Sequence, residues 1–211
     1  MRALLIAAAV IAAPVAAPIA AYAQVNASFA AAPAGDYALD LGHTSVLFRL
    51  SHMGLSMYTG RFSAIEGTLT VNPTTPTASR VSMAIDAASV DTGHRDAQGG
   101  RSFDEKIAKD ALGAGAHPKI TFVSTSLTQA TPTTGQMTGN LTLNGVTRPV
   151  TFDVSFYGGQ PLRFAGGRYG LGFAAKAKIK RSEFGVEDWL PFIGDETEIV
   201  VETEFVQKPA S

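Results

Sequence analysis

The chain has 211 residues, with 17 basic and 18 acidic residues and no cysteine. A formal net charge of −1 argues against a dedicated nucleic-acid binder, because such proteins carry a basic face. The lack of cysteine excludes disulfide bonds, thiolate zinc sites, iron–sulfur ligation and a thiol nucleophile. At about 150 residues per domain, the length predicts a single domain.

The N-terminus has the layout of a secretory signal peptide. Arg2 precedes an apolar run from Ala3 to Ala13, and Ala21-Tyr22-Ala23 forms a small-residue cleavage site. Two prolines divide this stretch, which disfavours a membrane anchor, since a spanning helix needs ~20 uninterrupted apolar residues. We predict a signal peptide at 1–23, export to the periplasm, and a flexible leader at 24–36, where the residues are rich in alanine and show no period.

An alternation of apolar and polar residues dominates the domain that follows, at 37–207. It is strong in five segments, 46–50, 80–87, 150–156, 173–180 and 198–205, and weaker at 61–72, 119–129 and 136–143. Alternation with period two indicates strands that have one buried face. About eight such strands, joined by turn sequences, predict an all-β fold, either an antiparallel sandwich or a barrel.

Two local motifs predict how the strands are connected. Asn144-Gly145 lies between two alternating segments and predicts a tight hairpin. One long interruption runs from Thr92 to Pro118, and within it Ser102-Phe103-Asp104-Glu105 resembles a capping box. A short helix is therefore predicted from this motif to about Leu112.

The strand pattern leaves two interpretations of the barrel interior open. An eight-stranded barrel is the smallest that either fills its interior with side chains or keeps room for one small ligand. The inward positions mix small residues, such as Gly139, Ala175 and Ala177, with large ones, such as Met83 and Phe122. A packed core shows the same mixture, but the long segment 147–158 would suit an elongated apolar ligand.

Six short motifs occur in one order along the domain. They are Tyr37-Ala38-Leu39-Asp40 with His43–Phe48, Ser51-His52-Met53-Gly54 with Gly60-Arg61-Phe62, Pro118–Ser124, Gly139–Val150, Arg181–Gly185 and Gly194–Ile199. Each motif alone is weakly specific, but the six together make the chain resemble the YceI family of exported polyisoprenoid-binding proteins. The resemblance covers residues 37–206 and departs from the family pattern at 110–117.

The resemblance implies a single lipocalin-like antiparallel eight-stranded barrel with a short helical loop insertion. It also implies a hydrophobic tunnel that holds a long isoprenoid, of quinone or polyprenyl type, in the periplasm. No cofactor is required beyond that bound isoprenoid or quinone-like lipid. The expected partner is the apolar lipid, with transient membrane contact and homodimerisation as further options and no nucleic acid.

We predict that the ligand is held by apolar residues on the inward strand positions. These are Phe48, Leu50, Phe62, Met83, Ile85, Phe122, Leu141, Phe152, Phe173, Ala175, Ala177 and Ile179. His52 and Arg181, and more weakly Asp86, are candidates to orient the head group, because a guanidinium suits a pyrophosphate or quinone oxygen. A structural interpretation stays open for two of them: Arg181 would pair with Glu183 or Asp195, and His52 would be a structural histidine.

Motifs for catalysis were sought and not found. No G-x-S-x-G, phosphate-binding loop, H-x-H or H-E-x-x-H occurs in the sequence. We therefore predict a binding protein rather than an enzyme, with no metal site. The alternatives are an enzyme that modifies a prenyl lipid in the same cavity and a secreted structural barrel with a filled core. The apolar loop Trp189–Ile193 is predicted to cap one end of the barrel, with contact to a membrane or a partner during ligand exchange as the alternative.

Overall fold

Ten antiparallel strands form one closed barrel in the computed structural model, which describes residues 25–209. The strands are β1 (Gly35–His52), β2 (Ser56–Phe62), β3 (Ile65–Val71), β4 (Arg80–Asp86), β5 (Val90–Asp91), β6 (Lys119–Gln129), β7 (Thr134–Leu143), β8 (Val146–Pro161), β9 (Tyr169–Lys180) and β10 (Ile193–Gln207). Their order in the sheet is β10-β9-β8-β7-β6-β4-β3-β1-β2-β5, and β1 pairs with β10 to close the ring. The predicted eight-stranded antiparallel barrel is confirmed, because β2 and β3 share one position in the wall and β5 is a two-residue extension.

Strands β2 and β3 follow each other along the same partner, β1. Val46 of β1 pairs with Phe62 of β2, and Ala38 pairs with Thr68 of β3. Between these two regions β1 bulges: it advances five positions from residue 40 to 45 while β10 advances two, from 204 to 202. A bulge bends a strand and increases its twist. The bend in β1 therefore lies between the segment that pairs with β3 and the segment that pairs with β2. It helps the sheet to curve into a closed barrel.

The predicted hairpin at Asn144-Gly145 is present between β7 and β8. Leu143 pairs with Val146 across it, and both turn residues have positive φ, 49° and 75°. This conformation matches the type I′ turn, which fits the twist of a hairpin.

The long interruption after β5 contains the predicted helix. Helix α1 (Ser102–Lys106) continues into a π-helical turn at Ile107–Ala111, close to the predicted end. The predicted capping box is wrong, because Arg101 is the N-cap residue and makes no side-chain cap bond. The Ser102 hydroxyl instead donates to the carboxylate of Asp96, 3.1 Å away.

Asp104 explains why the capping box is not used. Its carboxylate is buried, with 1% of its surface exposed, and accepts hydrogen bonds from the N–H and hydroxyl of Thr92 at 3.0 and 2.6 Å. The guanidinium groups of Arg95 and Arg101 lie 3.4 and 3.3 Å from it. A buried charge needs several partners, so this motif holds the loop together rather than capping the helix.

The leader predicted to be flexible at 24–36 makes a few contacts with the barrel, and its flexibility stays a prediction. In its described part, Asn26 exchanges backbone hydrogen bonds of 2.9 Å with Gly159, and Phe29–Ala31 forms a 3₁₀ turn. The Phe29 ring lies edge-on to Phe156 at 5.5 Å, and Ala32 is buried. Of residues 25–36 only Phe29, Ala32 and Pro33 are not exposed, so the contact with the barrel depends on a few side chains that no period in the sequence reveals.

The predicted signal peptide at 1–23 lies outside the described residues, as do Gln24, Ala210 and Ser211. Between residues 25 and 209, no helix has the length and apolar character to cross a membrane. The strands of the barrel run from Gly35 to Gln207; the domain bounds of 37–207 stay a prediction.

Tyr37 anchors the start of β1 at the end of the barrel nearest residues 25–36. Its side chain is completely buried, and its hydroxyl donates to the carbonyl oxygen of Pro33 at 2.8 Å. Burial, together with the nearby Tyr169, raises the pKa of Tyr37 to about 12. The phenol thus stays neutral in the folded protein at a pH where an exposed tyrosine ionises.

We expect the free energy of unfolding to fall between about pH 10 and 12. A raised folded pKa gives stability that is complete below the unfolded pKa and is lost as pH rises through the folded one. At 1.36 kcal/mol per pKa unit, Tyr37 accounts for on the order of 2 kcal/mol of this fall. Urea unfolding of wild type and of Tyr37→Phe at several pH values between about 10 and 12 measures this fall in the free energy of unfolding. An identical fall in the two proteins would contradict the assignment.

Candidate functional site

The barrel encloses an elongated apolar cavity of about 560 Å³. On β10 alone the lining runs from Ile193 to Phe205. Twelve steps at ~3.3 Å per residue make about 40 Å of strand. With a strand tilt of roughly 40°, this corresponds to about 30 Å along the barrel axis. The interior is therefore long and narrow.

Thirteen of the fourteen predicted site residues line this cavity. They are Phe48, Leu50, His52, Phe62, Met83, Ile85, Phe122, Leu141, Phe152, Phe173, Ala175, Ile179 and Arg181. Their contact with a ligand stays a prediction. Period-two patterning located them because successive residues of a strand point to opposite faces of the sheet.

Ala177 and Asp86 differ from the prediction. Ala177 does not line the cavity, although it is buried in the same core cluster as the lining residue Ala175. Asp86 is not part of the lining either, and its carboxylate accepts a hydrogen bond of 2.9 Å from the N–H of Ala88. Asp86 therefore orders the turn after β4.

Two glycines leave room for the aromatic rings that border the cavity. A Cβ atom at Gly60 would overlap the ring of Phe48, and one at Gly139 would overlap the ring of Phe122 and approach the Val123 carbonyl. Both rings thus lie across the backbone of the neighbouring strand. In the sequence, Gly139 is recognisable only as a small inward residue. Nothing in the sequence indicates that Gly60 makes room for a ring. A ring that lies against the wall leaves the centre of the barrel free.

An aromatic cluster borders the cavity at the end nearest the leader, here called the leader end. Phe173 lies between Phe156 and Phe205, with ring centroids 5.1 and 6.3 Å away, and Phe29 covers Phe156 and Phe173 from outside. Phe29 also lines the cavity, which sequence analysis did not predict. The only feature of the sequence that sets Phe29 apart is that it is an aromatic residue within an alanine-rich segment. Nearby lining residues on the exposed hairpin between β6 and β7 are largely threonine and glutamine.

The opposite end, here called the apolar end, is bordered by His52, Tyr58, Trp189 and Ile193. The His52 and Tyr58 rings lie side by side, with centroids 6.1 Å apart. Residues of the helical insertion, Phe103, Ile107, Ala111 and Leu112, complete the wall there. Trp189 lines the cavity and is also 41% exposed, so the cavity reaches the surface beside it.

Arg181 stabilises the loop that covers the apolar end. Its Nε, Nη1 and Nη2 donate to the backbone carbonyls of Gly194, Val186 and Ile193 at 2.9, 2.8 and 2.9 Å. Burial lowers the pKa of the guanidinium, while Asp195 and Asp188 act in the opposite direction. The structural interpretation of Arg181 holds, but its hydrogen-bond partners are carbonyls rather than Glu183 or Asp195. The Asp195 carboxylate binds the N–H and hydroxyl of Ser182, both at 2.9 Å.

One cluster of ionisable groups lies on the outer face at the bulge of β1. His43, Asp40 and Glu204 each place one ligand-type atom within 4.8 Å of the others. A hydrogen bond of 3.0 Å joins His43 to Asp40; this bond and the charge of Glu204 raise the pKa of His43, and the same bond lowers the pKa of Asp40. The bulge, which no spacing in the sequence showed, brings these groups together outside the cavity.

We expect Gly60→Ala to narrow the cavity. The new methyl group would push the Phe48 ring from the wall into the centre, and binding of a fluorescent fatty-acyl probe should weaken about tenfold, or about 1.4 kcal/mol. The double variant Gly60→Ala/Phe48→Ala should recover binding, because it removes the displaced ring. Undiminished binding by the folded single variant would mean that Phe48 moves elsewhere.

We expect Arg181→Lys to loosen the covering loop. One ammonium cannot replace three guanidinium donors, and each carbonyl left unpaired costs about 1–3 kcal/mol. The free energy of unfolding should fall by about 2–4 kcal/mol in urea titrations. Arg148→Lys is the control, because its Nε donates to an exposed carbonyl at 3.4 Å. Equal stability of the two variants would argue against the loop-stabilising role.

Comparisons with known proteins agree with the architecture. The family model described as a YceI-like domain matches residues 37–205. The protein YceI of Escherichia coli O17:K52:H18 (strain UMN026 / ExPEC) is 34% identical over 190 residues, which cover 89% of this chain and 95% of that protein. A UPF0312 protein of Azotobacter vinelandii is 33% identical over 180 residues, 84% of this chain and 90% of that protein.

Solved structures share the barrel. BcnA of Burkholderia cenocepacia superposes with a TM-score of 0.68 at 25% identity and covers 79% of this chain and 98% of its own. A polyisoprenoid binding domain from Saccharophagus degradans, implicated in plant cell wall breakdown, gives a TM-score of 0.57 at 14% identity, with 82% of this chain and 98% of that domain covered. At that identity the second comparison establishes a common fold only.

Proposed function

The chain belongs to the YceI-like family, and we propose that it is an exported protein that holds a long isoprenoid lipid, of quinone or polyprenyl type, inside its barrel. The observation that carries this proposal is the elongated cavity of about 560 Å³, bordered by apolar side chains over most of its length. Its volume falls within the range of ligand sites in proteins, roughly 300–1,000 Å³.

The binding energy would come from the tail of the ligand. At ~25 cal/mol per Å², a hydrocarbon tail that buries about 400 Å² gains on the order of 10 kcal/mol. Part of this is lost when the ligand and the lining side chains are ordered. A flexible isoprenoid can follow a narrow cavity of about 30 Å and needs no charged contact to stay there.

The lining supports a neutral head group. Among the described lining residues, only His52 and Arg181 are basic and none is acidic. Each guanidinium nitrogen of Arg181 already donates to a backbone carbonyl. A pyrophosphate drawn into the cavity would therefore lack counter-charges, and burying an unpaired charge is costly. A quinone needs only hydrogen-bond donors, so we propose it over a charged prenyl diphosphate.

The same lining supports binding rather than chemistry. General acid–base catalysis needs a titratable group within hydrogen-bond reach of the reacting atom, with a pKa matched to its task. Of the two ionisable lining residues, Arg181 stabilises the covering loop and His52 stands at the apolar end beside Tyr58. We therefore propose a carrier or storage role in the periplasm, where the predicted signal peptide would direct the chain.

We expect Ala175→Phe to abolish binding of a long-chain ubiquinone. Ala175 lines the cavity at 8% exposure, between Val154 and Val201 on the adjacent strands, so a phenyl ring there would block the passage of a tail. Native mass spectrometry after incubation with the quinone should show the bound mass for wild type and at most a tenth of it for the variant.

Lys176→Phe is the matched control. It adds the same ring to the same strand, but Lys176 is exposed on the outer face and is not part of the lining. Circular dichroism should show that both variants keep the barrel. Quinone uptake by folded Ala175→Phe would place the ligand elsewhere, and failure of wild type to bind any isoprenoid would refute the proposed function.

A further inference from the structure

Two loops at the apolar end expose an unusual number of large apolar side chains. The β1–β2 turn with the start of β2 presents Met53, Leu55 and Met57, and the loop before β10 presents Trp189 and Phe192. Their exposed fractions are 57%, 81%, 50%, 41% and 66%. The backbone N–H of Met53 donates to the carbonyl of Phe192 at 2.7 Å, so the two loops are joined. These five residues are called the portal patch below.

The portal patch is continuous with the cavity. Trp189 belongs to both, and the lining residues His52, Tyr58 and Ile193 are chain neighbours of patch residues. A lipid that left the cavity at this point would meet apolar side chains before it met water. The leader end offers no equivalent apolar path, because its exposed lining residues on the β6–β7 hairpin are mostly threonine and glutamine, so a lipid leaving there would meet polar side chains.

Several backbone N–H groups of the two loops are bonded within the protein. Leu55 N–H donates to the His52 carbonyl at 2.9 Å, Leu190 N–H to Glu187 at 3.2 Å, and Ile193 N–H to Trp189 at 2.9 Å. Unpaired backbone groups are expensive in hydrocarbon, which keeps most loops out of bilayers. Internal bonding of these donors lowers that cost, so the tips can enter the outer part of a membrane.

The charges beside the patch indicate which membrane surface it fits. Glu187 and Asp188 precede Trp189 in the chain. Lys106 lies 6.0 Å from the centre of the Trp189 ring, and its ammonium is already paired with Asp110 at 2.6 Å. A surface made for anionic lipids would be basic. This set is net acidic rather than basic, so it does not suit an anionic surface; a zwitterionic bilayer fits it better, with the apolar side chains supplying the attraction.

We propose that the portal patch docks the barrel on a zwitterionic lipid bilayer and that the isoprenoid passes between bilayer and cavity beside Trp189. This inference rests on the proposed function. It adds a route by which the isoprenoid enters the cavity. An isoprenoid tail is too insoluble to cross water freely, so contact between a membrane and the open end of the cavity shortens its path. Trp189 has an amphipathic ring of the kind enriched at membrane interfaces.

Phosphatidylcholine vesicles test the docking, and Trp189 is the only tryptophan in the chain, which makes it a specific reporter. Wild type should float with the vesicles, and its emission should shift to shorter wavelength and be quenched by brominated phosphatidylcholine. The double variant Leu55→Ser/Phe192→Ser should lower vesicle binding at least tenfold. Phe164→Ser, which removes a 74% exposed aromatic residue from the β8–β9 hairpin at the leader end, should bind like wild type.

Transfer of ubiquinone separates this inference from the proposed function. When loaded from detergent, wild type and the double variant should hold equal amounts of quinone, because neither substituted residue lines the cavity. Transfer from vesicles should be at least tenfold slower for the double variant. Equal quinone content with equal transfer rates would refute docking while leaving the proposed function intact, whereas no quinone in either protein would refute the function itself.

A second copy of the chain is the other occupant that the test must recognise. If the patch formed a dimer interface, sedimentation velocity would show a wild-type dimer, a monomeric double variant and no vesicle binding by either. That outcome would overturn the proposal. Weak dependence of vesicle binding on salt is expected in addition, and strong weakening by salt would contradict the apolar mode of docking.

Discussion

The pairing of β1 with β10 is the interaction on which the other features depend. It joins the first and last long strands of the barrel, from Tyr37 and Gln207 at one end to His52 and Ile193 at the other. Once this seam is made, the apolar faces of eight strands must share one interior of limited width. The bulge of β1 lets the sheet close, and glycines at 60 and 139 let large rings lie against the wall. The cavity is the part of this interior that the side chains do not fill.

The two ends of the barrel are built differently, so a ligand in the cavity would meet different side chains at each end. Aromatic side chains from the leader and three strands pack together at one end, beside a polar hairpin. The other end lacks a continuous wall, and a helical insertion and a loop cover it. Buried Asp104 organises the insertion, and Arg181 holds the loop through three backbone carbonyls. Both charges serve the scaffold, so the interior that they support can remain uncharged.

Much of the barrel and most of its lining could be predicted from the sequence, because strand patterning is a local signal. Residues such as Met83, Phe152 and Ile179 were located by their alternation with polar neighbours. The failures concern long-range partners. The Ser102 motif has the form of a capping box, but its hydroxyl binds Asp96 and its Asp104 is drawn to Thr92. Ala177 continues the inward phase of β9 and is buried in the core, but unlike Ala175 it does not line the cavity.

The sequence by itself determined that the chain forms strands, which face of each strand avoids water, and which family's motifs it carries. It could not determine whether those faces fill the barrel or enclose a space, because both outcomes need the same period of two. The tertiary structure decided this. The position of each ring in the interior depends on the register between strands far apart in the chain, and on whether a glycine or a side chain stands opposite it.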